Sequence, residues 1–126
     1  MSEPSDEKYI RSEQQGNVLV ITPLFTQANF AEPQSASQWH AVEEQLDSPS
    51  TEQVIVDLGE IPYFGSTVLE WITQLWKRIK VKGGRLALVR PSKMGREVIN
   101  ITRLDKLWGI FDTRDQAFSW LAKPQT

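Results

Sequence analysis

The stretch from Val54 to Val89 constrains the fold more than any other part of the chain. Val54-Ile55-Val56-Asp57-Leu58 is a short, almost continuously apolar run rich in β-branched residues, the pattern of a strand buried on both faces. Pro62 and Gly65 then interrupt extended pairing and let the chain turn. From Val68 the apolar residues change period. Val68, Leu69, Ile72, Leu75, Trp76 and Ile79 fall at i, i+1, i+4, i+7, i+8 and i+11, which is one face of an α-helix. Gly83-Gly84 closes that helix, behind Lys77, Arg78, Lys80 and Lys82, whose charge suits the negative end of the helix dipole. Arg85-Leu86-Ala87-Leu88-Val89 reads as a second strand. Strand, helix and strand make a βαβ unit, so the two strands run parallel and the crossover is right-handed. Ser66 then stands where a central strand hands over to the crossover helix, the end of an α/β sheet that usually carries function.

The flanking sequence extends this unit on both sides. Tyr9 to Gln14 and Val18 to Thr22 flank the turn signal Gln15-Gly16-Asn17, which predicts an antiparallel hairpin with Pro23 ending the ladder. Leu24 to Ala31 reads as a loop. A helix follows, bounded by the candidate capping box Ser35-Ala36-Ser37-Gln38 and by Asp47-Ser48-Pro49; an earlier start at Asn29, with Glu32 in the box, is the alternative. Trp39, Val42 and Leu46 form its apolar stripe, with Glu43 and Glu44 pointing away. Beyond the βαβ unit, Pro91-Ser92 opens a third helix striped by Met94, Val98 and Ile101. Gly109 to Phe111 reads as a short edge strand. Thr113-Arg114-Asp115-Gln116 is a second capping box, opening a last helix with Ala117 and Leu121 inside and Phe118 and Trp120 at the margins. The order β-β-α-β-α-β-α-β-α predicts an α/β fold, a mixed sheet of about five strands with four helices largely on one side. A single domain is expected over residues 9–122, behind a flexible tail over residues 1–8.

Composition narrows the function. The 126 residues include no cysteine, which excludes disulfides, thiolate metal sites and cysteine nucleophiles and fits a reducing compartment. A formal net charge of −2 without a basic stripe argues against nucleic acid as the partner. No apolar run reaches the length of a membrane-spanning helix, and the acidic, polar start is unlike a signal peptide, so a cytoplasmic protein is expected. With a single histidine, His40, there is little material for a metal site or for histidine acid/base chemistry. Phe64-Gly65-Ser66-Thr67-Val68 lacks the second glycine of a nucleophile elbow, and the glycines ahead of Ser66 are not followed by the lysine of a phosphate-binding loop. No enzyme and no cofactor are expected.

Ser66 carries two readings. As N-cap of the crossover helix it would accept from the N–H of Val68 or Leu69, worth about 1 kcal/mol. The same helix start tolerates an anion, so a phosphate on this hydroxyl is compatible with the local field and would add about −1.5 to −2 charges. Arg90 and Lys93 should emerge at the same sheet end, either as solvated cations or in contact with a phosphate or partner. Trp71, about 100° from the centre of the apolar stripe, is expected half-exposed beside Ser66, either as an anchor for a partner protein or as a boundary tryptophan that simply packs on a loop. Of Tyr63 and Phe64, one should plug the core and the other face solvent.

Val54 to Leu58, Ile61 to Leu69, Gly83 to Val89 and the segment Val98 to Thr113 resemble the STAS domain of anti-sigma factor antagonists. The resemblance implies a mixed five-stranded sheet with four flanking helices and a non-enzymatic binding function. Such proteins dock onto a kinase-type anti-sigma factor and release a sigma factor, and phosphorylation of a serine at the start of the crossover helix turns this off. That serine matches Ser66. The docking face would then comprise Tyr63, Phe64, Gly65, Ser66, Thr67, Glu70, Trp71 and Gln74, with Arg90 and Lys93 nearby. Phosphorylated members carry an aspartate before the serine and a glycine two residues after it; Gly65 and Val68 stand there in this chain. The alternative is a constitutive STAS scaffold or accessory subunit of a signalling or transport complex, with no phospho-switch.

Overall fold

The computed structural model describes residues 9–24, 33–61 and 65–123. Five strands, β1 (Ile10–Gln15), β2 (Val18–Pro23), β3 (Gln53–Asp57), β4 (Leu86–Val89) and β5 (Gly109–Phe111), lie side by side in the order of the sequence. β1 and β2 form the antiparallel hairpin, paired from Gln15 with Val18 to Ile10 with Pro23. Pro23 is thus the last rung of the ladder. β2, β3, β4 and β5 are mutually parallel. The fold is α/β, with a mixed sheet and four helices, α1 (Pro33–Asp47), α2 (Ser66–Lys80), α3 (Lys93–Ile101) and α4 (Arg114–Ala122).

This order dictates where the helices go. Parallel strands added in one direction, each through a right-handed crossover, send every crossover helix to the same face. α1, α2 and α3 accordingly share one core with Leu19, Ile21, Val54, Val56, Leu86 and Leu88. α4 has no strand to return to and covers the other face, where Ala117 and Leu121 pack on Val18, Val20, Ile55, Ala87 and Val89. The alternation of Val54 and Val56 against Ile55 shows β3 buried on both faces, as its unbroken apolar run requires.

α2 seats Val68, Ile72, Leu75 and Ile79 in the core. It ends at Gly83, whose φ of +80° is the left-handed turn a glycine accommodates, while the Gly84 N–H returns to the Ile79 carbonyl at 3.0 Å. A side chain at Gly84 would stand 1.9 Å from the Glu52 carbonyl oxygen, so the close approach of this turn to β3 fixes glycine there. Lys82 donates to the carbonyls of Leu46, Ser48 and Thr51, tying the end of α1 to the end of α2.

Several local expectations need correction. α1 begins at Pro33, ahead of Ser35, and the alternative start at Asn29 and most of the expected loop from Leu24 to Ala31 lie outside the described residues. Glu44 does face solvent, but Glu43 turns inward to pair with Arg78 of α2. In α3 Gly95 and Ile99 are buried and Val98 packs half-buried on the core as expected, but Met94 is 59% and Ile101 81% exposed. A nine-residue helix offers two overlapping stripes, and bulk alone selects the wrong one when the adjoining strand ends set its rotation. Both α4 expectations hold: Thr113 forms the capping box with Gln116, and Ala117 and Leu121 are buried.

Candidate docking site at the start of α2

Ser66 is the first residue of α2, and the N-cap is Gly65, in extended conformation, whose carbonyl accepts the Leu69 N–H at 3.0 Å. The helix therefore starts one residue earlier than a Ser66 cap requires. Among the described residues no side chain caps this end, and Ser66 is exposed with its hydroxyl free of capping duty. The first turn contains no acidic residue, so the positive end of the dipole there is uncompensated. Glu70 and Gln74, one and two turns on, are exposed on the same side, and Thr67 is half-buried. Tyr63 and Phe64 lie outside the described residues.

Of the remaining candidates, Trp71 and Arg90 are engaged elsewhere. Trp71 is 3% exposed and packs on Trp39 of α1, ring centroids 5.7 Å apart. The expected half-exposed anchor is a core side chain, because α1 covers the flank on which Trp71 sits. Lys93 is exposed at the start of α3. Arg90 does emerge at the same sheet end as Ser66, but it is engaged on the opposite face. His40 is exposed on α1 beside Glu43 and Glu44.

The residue that engages Arg90 is Asp57, which stands in the sequence as one acid within an apolar run. It shares the orientation of Ile55, and its carboxylate lies fully buried beneath α4. Arg90 clamps it with Nε on Oδ1 at 3.1 Å and a terminal nitrogen on Oδ2 at 2.9 Å. Arg114, the first residue of α4, adds its Nε on Oδ2 at 2.9 Å and reaches on to Glu13 and the Thr22 hydroxyl. The Gly59 N–H completes the set at 3.0 Å. Burial by itself would raise the Asp57 carboxyl, but the hydrogen bonds from Arg90, Gly59 and Arg114 and the Arg90 charge outweigh it and hold the group below its ordinary value. The same carboxylate and Glu13 raise Arg114, against the lowering effect of its own burial. Arg90 adopts a left-handed backbone, φ 55°, to turn back onto Asp57, and a side chain at Gly59 would meet its guanidinium at 2.6 Å. One carboxylate thus fixes the ends of β3, β4 and α4 beside the segment that leads to Ser66. The sequence signal was an acid inside an otherwise apolar strand, a placement tolerated only when the charge is paired.

Among the described residues, no cluster of histidine, aspartate and glutamate is arranged to hold a metal ion, and no helix is long and apolar enough to cross a membrane. Residues 9–117 match the STAS domain family. The chain belongs to that family. An anti-sigma-factor antagonist (STAS) domain protein from Planctomyces limnophilus is 26% identical, with a TM-score of 0.72 over 90% of this chain and 98% of its own. A putative anti-sigma factor antagonist from Thermotoga maritima is 22% identical, with a TM-score of 0.75 over 90% of this chain and 95% of its own. SpoIIAA, a cell-fate determinant of Bacillus solved in its phosphorylated form, shares the STAS fold at 16% identity, with a TM-score of 0.66 over 88% of this chain and 97% of its own. No curated protein sequence matches the chain.

Proposed function

We propose that this STAS domain is a cytoplasmic, non-enzymatic anti-sigma factor antagonist that docks onto a kinase-type anti-sigma factor and is switched off by phosphorylation of Ser66. The observation that carries the reading is the state of that serine. It is exposed, it opens α2, and its hydroxyl is not consumed in capping because Gly65 holds the cap position. A phosphate there meets the unspent N–H groups and positive dipole of α2, so the fold accepts it at little cost. To a partner the same group presents about two negative charges, on the side of α2 where Glu70 and Gln74 are also exposed. Gly65, Ser66, Thr67, Glu70 and Gln74 form the docking face, with Tyr63 and Phe64 in the segment leading into it. The antagonist descriptions of the Planctomyces and Thermotoga proteins and the phosphorylated form of SpoIIAA support this direction.

Incubation with candidate kinase-type anti-sigma factors and ATP, followed by mass spectrometry, tests the switch. The expected product carries one phosphate, on Ser66, and none in Ser66→Ala. Phosphate on another residue, or on none while the partner binds, contradicts it.

A constitutive scaffold is the second reading, favoured by Gly65 at the position where phosphorylated members carry aspartate. It differs in one outcome: Ser66→Asp binds the partner as the wild-type chain does.

A further inference from the structure

β5 is one of the two edges of the sheet, and its middle residue offers a pair of hydrogen-bonding groups with no partner among the described residues. The Arg90 N–H donates to the Phe111 carbonyl at 3.0 Å, so the peptide groups of Phe111 face inward. Those of Ile110, one residue back, therefore point away from the sheet. The opposite edge is protected: β1 exposes Arg11, Glu13, Gln14 and Gln15, and the Tyr9 and Ile10 N–H groups are taken by Gln38. Beside β5 runs a groove of about 600 Å³, bounded by Ile110, Phe111 and Asp112, the α4 residues Asp115, Gln116, Ser119 and Trp120, and Lys123 just past the helix. Its floor is the Phe111–Trp120 ring pair, centroids 5.5 Å apart.

The two charges along this groove that lack an ion pair among the described residues are self-complementary about a two-fold axis. Asp115 and Ser119 follow at i and i+4 on α4, and Lys123, in extended backbone just past its end, lines the same groove; with Asp112 paired to Arg96, the remaining charges read acid, small residue, base. Neither Asp115 nor Lys123 has an ion-pair partner among the described residues. We propose that this edge is the interface between two copies of the chain, with β5 pairing antiparallel to β5 of the second copy about a two-fold axis beside Ile110. Such an axis lets the two Ile110 residues exchange both backbone bonds. It sets Asp115 of each copy toward Lys123 of the other and brings the two ring pairs together across the groove. Ser119, midway between the charges, leaves room at the axis. A three-residue strand makes this a small interface, so the dimer is concentration-dependent. It lies on the α4 side, away from Ser66, and does not depend on the proposed antagonist role.

Sedimentation equilibrium on the full chain tests the assembly, with circular dichroism to confirm that each variant is folded. Lys123→Glu sets acid against acid at both ends and is expected to weaken dimerisation by about tenfold or more. The double exchange Asp115→Lys/Lys123→Glu restores the complementary order and should recover the dimer to within about threefold of wild type. The Ile110 amide should exchange more slowly as protein concentration rises. A chain that stays monomeric to about 1 mM, the weak limit of specific association, overturns the proposal. So does a dimer whose affinity Lys123→Glu leaves unchanged, or one in which the Ile110 amide gains no protection.

Discussion

Arg114, at the first position of α4, donates its Nε to Oδ2 of the fully buried Asp57 at 2.9 Å, joining the last helix to the central strand. With Arg90 on the same carboxylate, three elements that are distant in sequence are held at the sheet end where Ser66 begins α2. Asp57→Asn keeps the volume but removes the charge both guanidiniums answer. It should cost about 3 kcal/mol, the low end for breaking a buried ion pair, because both arginines can still reach water. Urea unfolding of the variant measures this, and a loss under about 1 kcal/mol contradicts the clamp.

The same carboxylate predicts the shape of the acid transition. The folded-state pKa of Asp57 is lowered, so the unfolded chain binds more protons and stability rises with pH through this range. The contribution is complete above the ordinary aspartate value of about 3.9 and is lost as pH falls through the lower folded value. Stability of the wild-type chain should therefore drop more steeply below about pH 4 than that of Asp57→Asn. Parallel profiles for the two proteins would show that Asp57 does not titrate as described.

Two hydroxyls at helix starts should behave differently. Thr113 closes a reciprocal capping box with Gln116, so Thr113→Ala should cost about 1 kcal/mol. Ser66 caps nothing, so Ser66→Ala should change stability by less than about 0.5 kcal/mol. Equal losses in paired thermal melts contradict the assignment of Gly65 as the cap of α2.

Trp71 should report on the core rather than on docking. Packed against Trp39 and 3% exposed, it should cost about 3–5 kcal/mol on truncation to alanine. Trp71→Phe, which keeps most of the apolar contact, should bind a partner as tightly as the wild-type chain. A variant of normal stability that has lost binding points instead to exposure of the ring on docking.

The backbone plan could be read from the chain because its signals are local. The apolar run of β3, the change of period at Val68, the glycines after Lys82 and the capping box at Thr113 each act within a few residues. What could not be read depends on how elements rotate against one another. Met94 and Ile101 are bulky, yet α3 turns Gly95 and Ile99 inward. Trp71 lies on the flank of the α2 stripe, and only the position of α1 decides that this flank is covered. The Asp57 clamp draws on β3, the β4 end and α4, and no short-range spacing announces it. At the candidate site, the position of Ser66 was legible within one residue. Its freedom from capping was not, because it turns on which of two neighbours holds extended backbone.

The most direct measurement is the affinity of the chain for a kinase-type anti-sigma factor, the proposed partner, with and without a negative charge at position 66. Ser66→Asp places an acid in the first turn of α2, where none now stands, and should stabilise the fold by about 0.3–1 kcal/mol. The proposed switch predicts that this more stable variant binds the partner at least about tenfold more weakly, a loss of about 1.4 kcal/mol. Ser66→Ala should bind as the wild type does. Equal affinities for the wild-type chain and Ser66→Asp, with the stabilisation present, would contradict it.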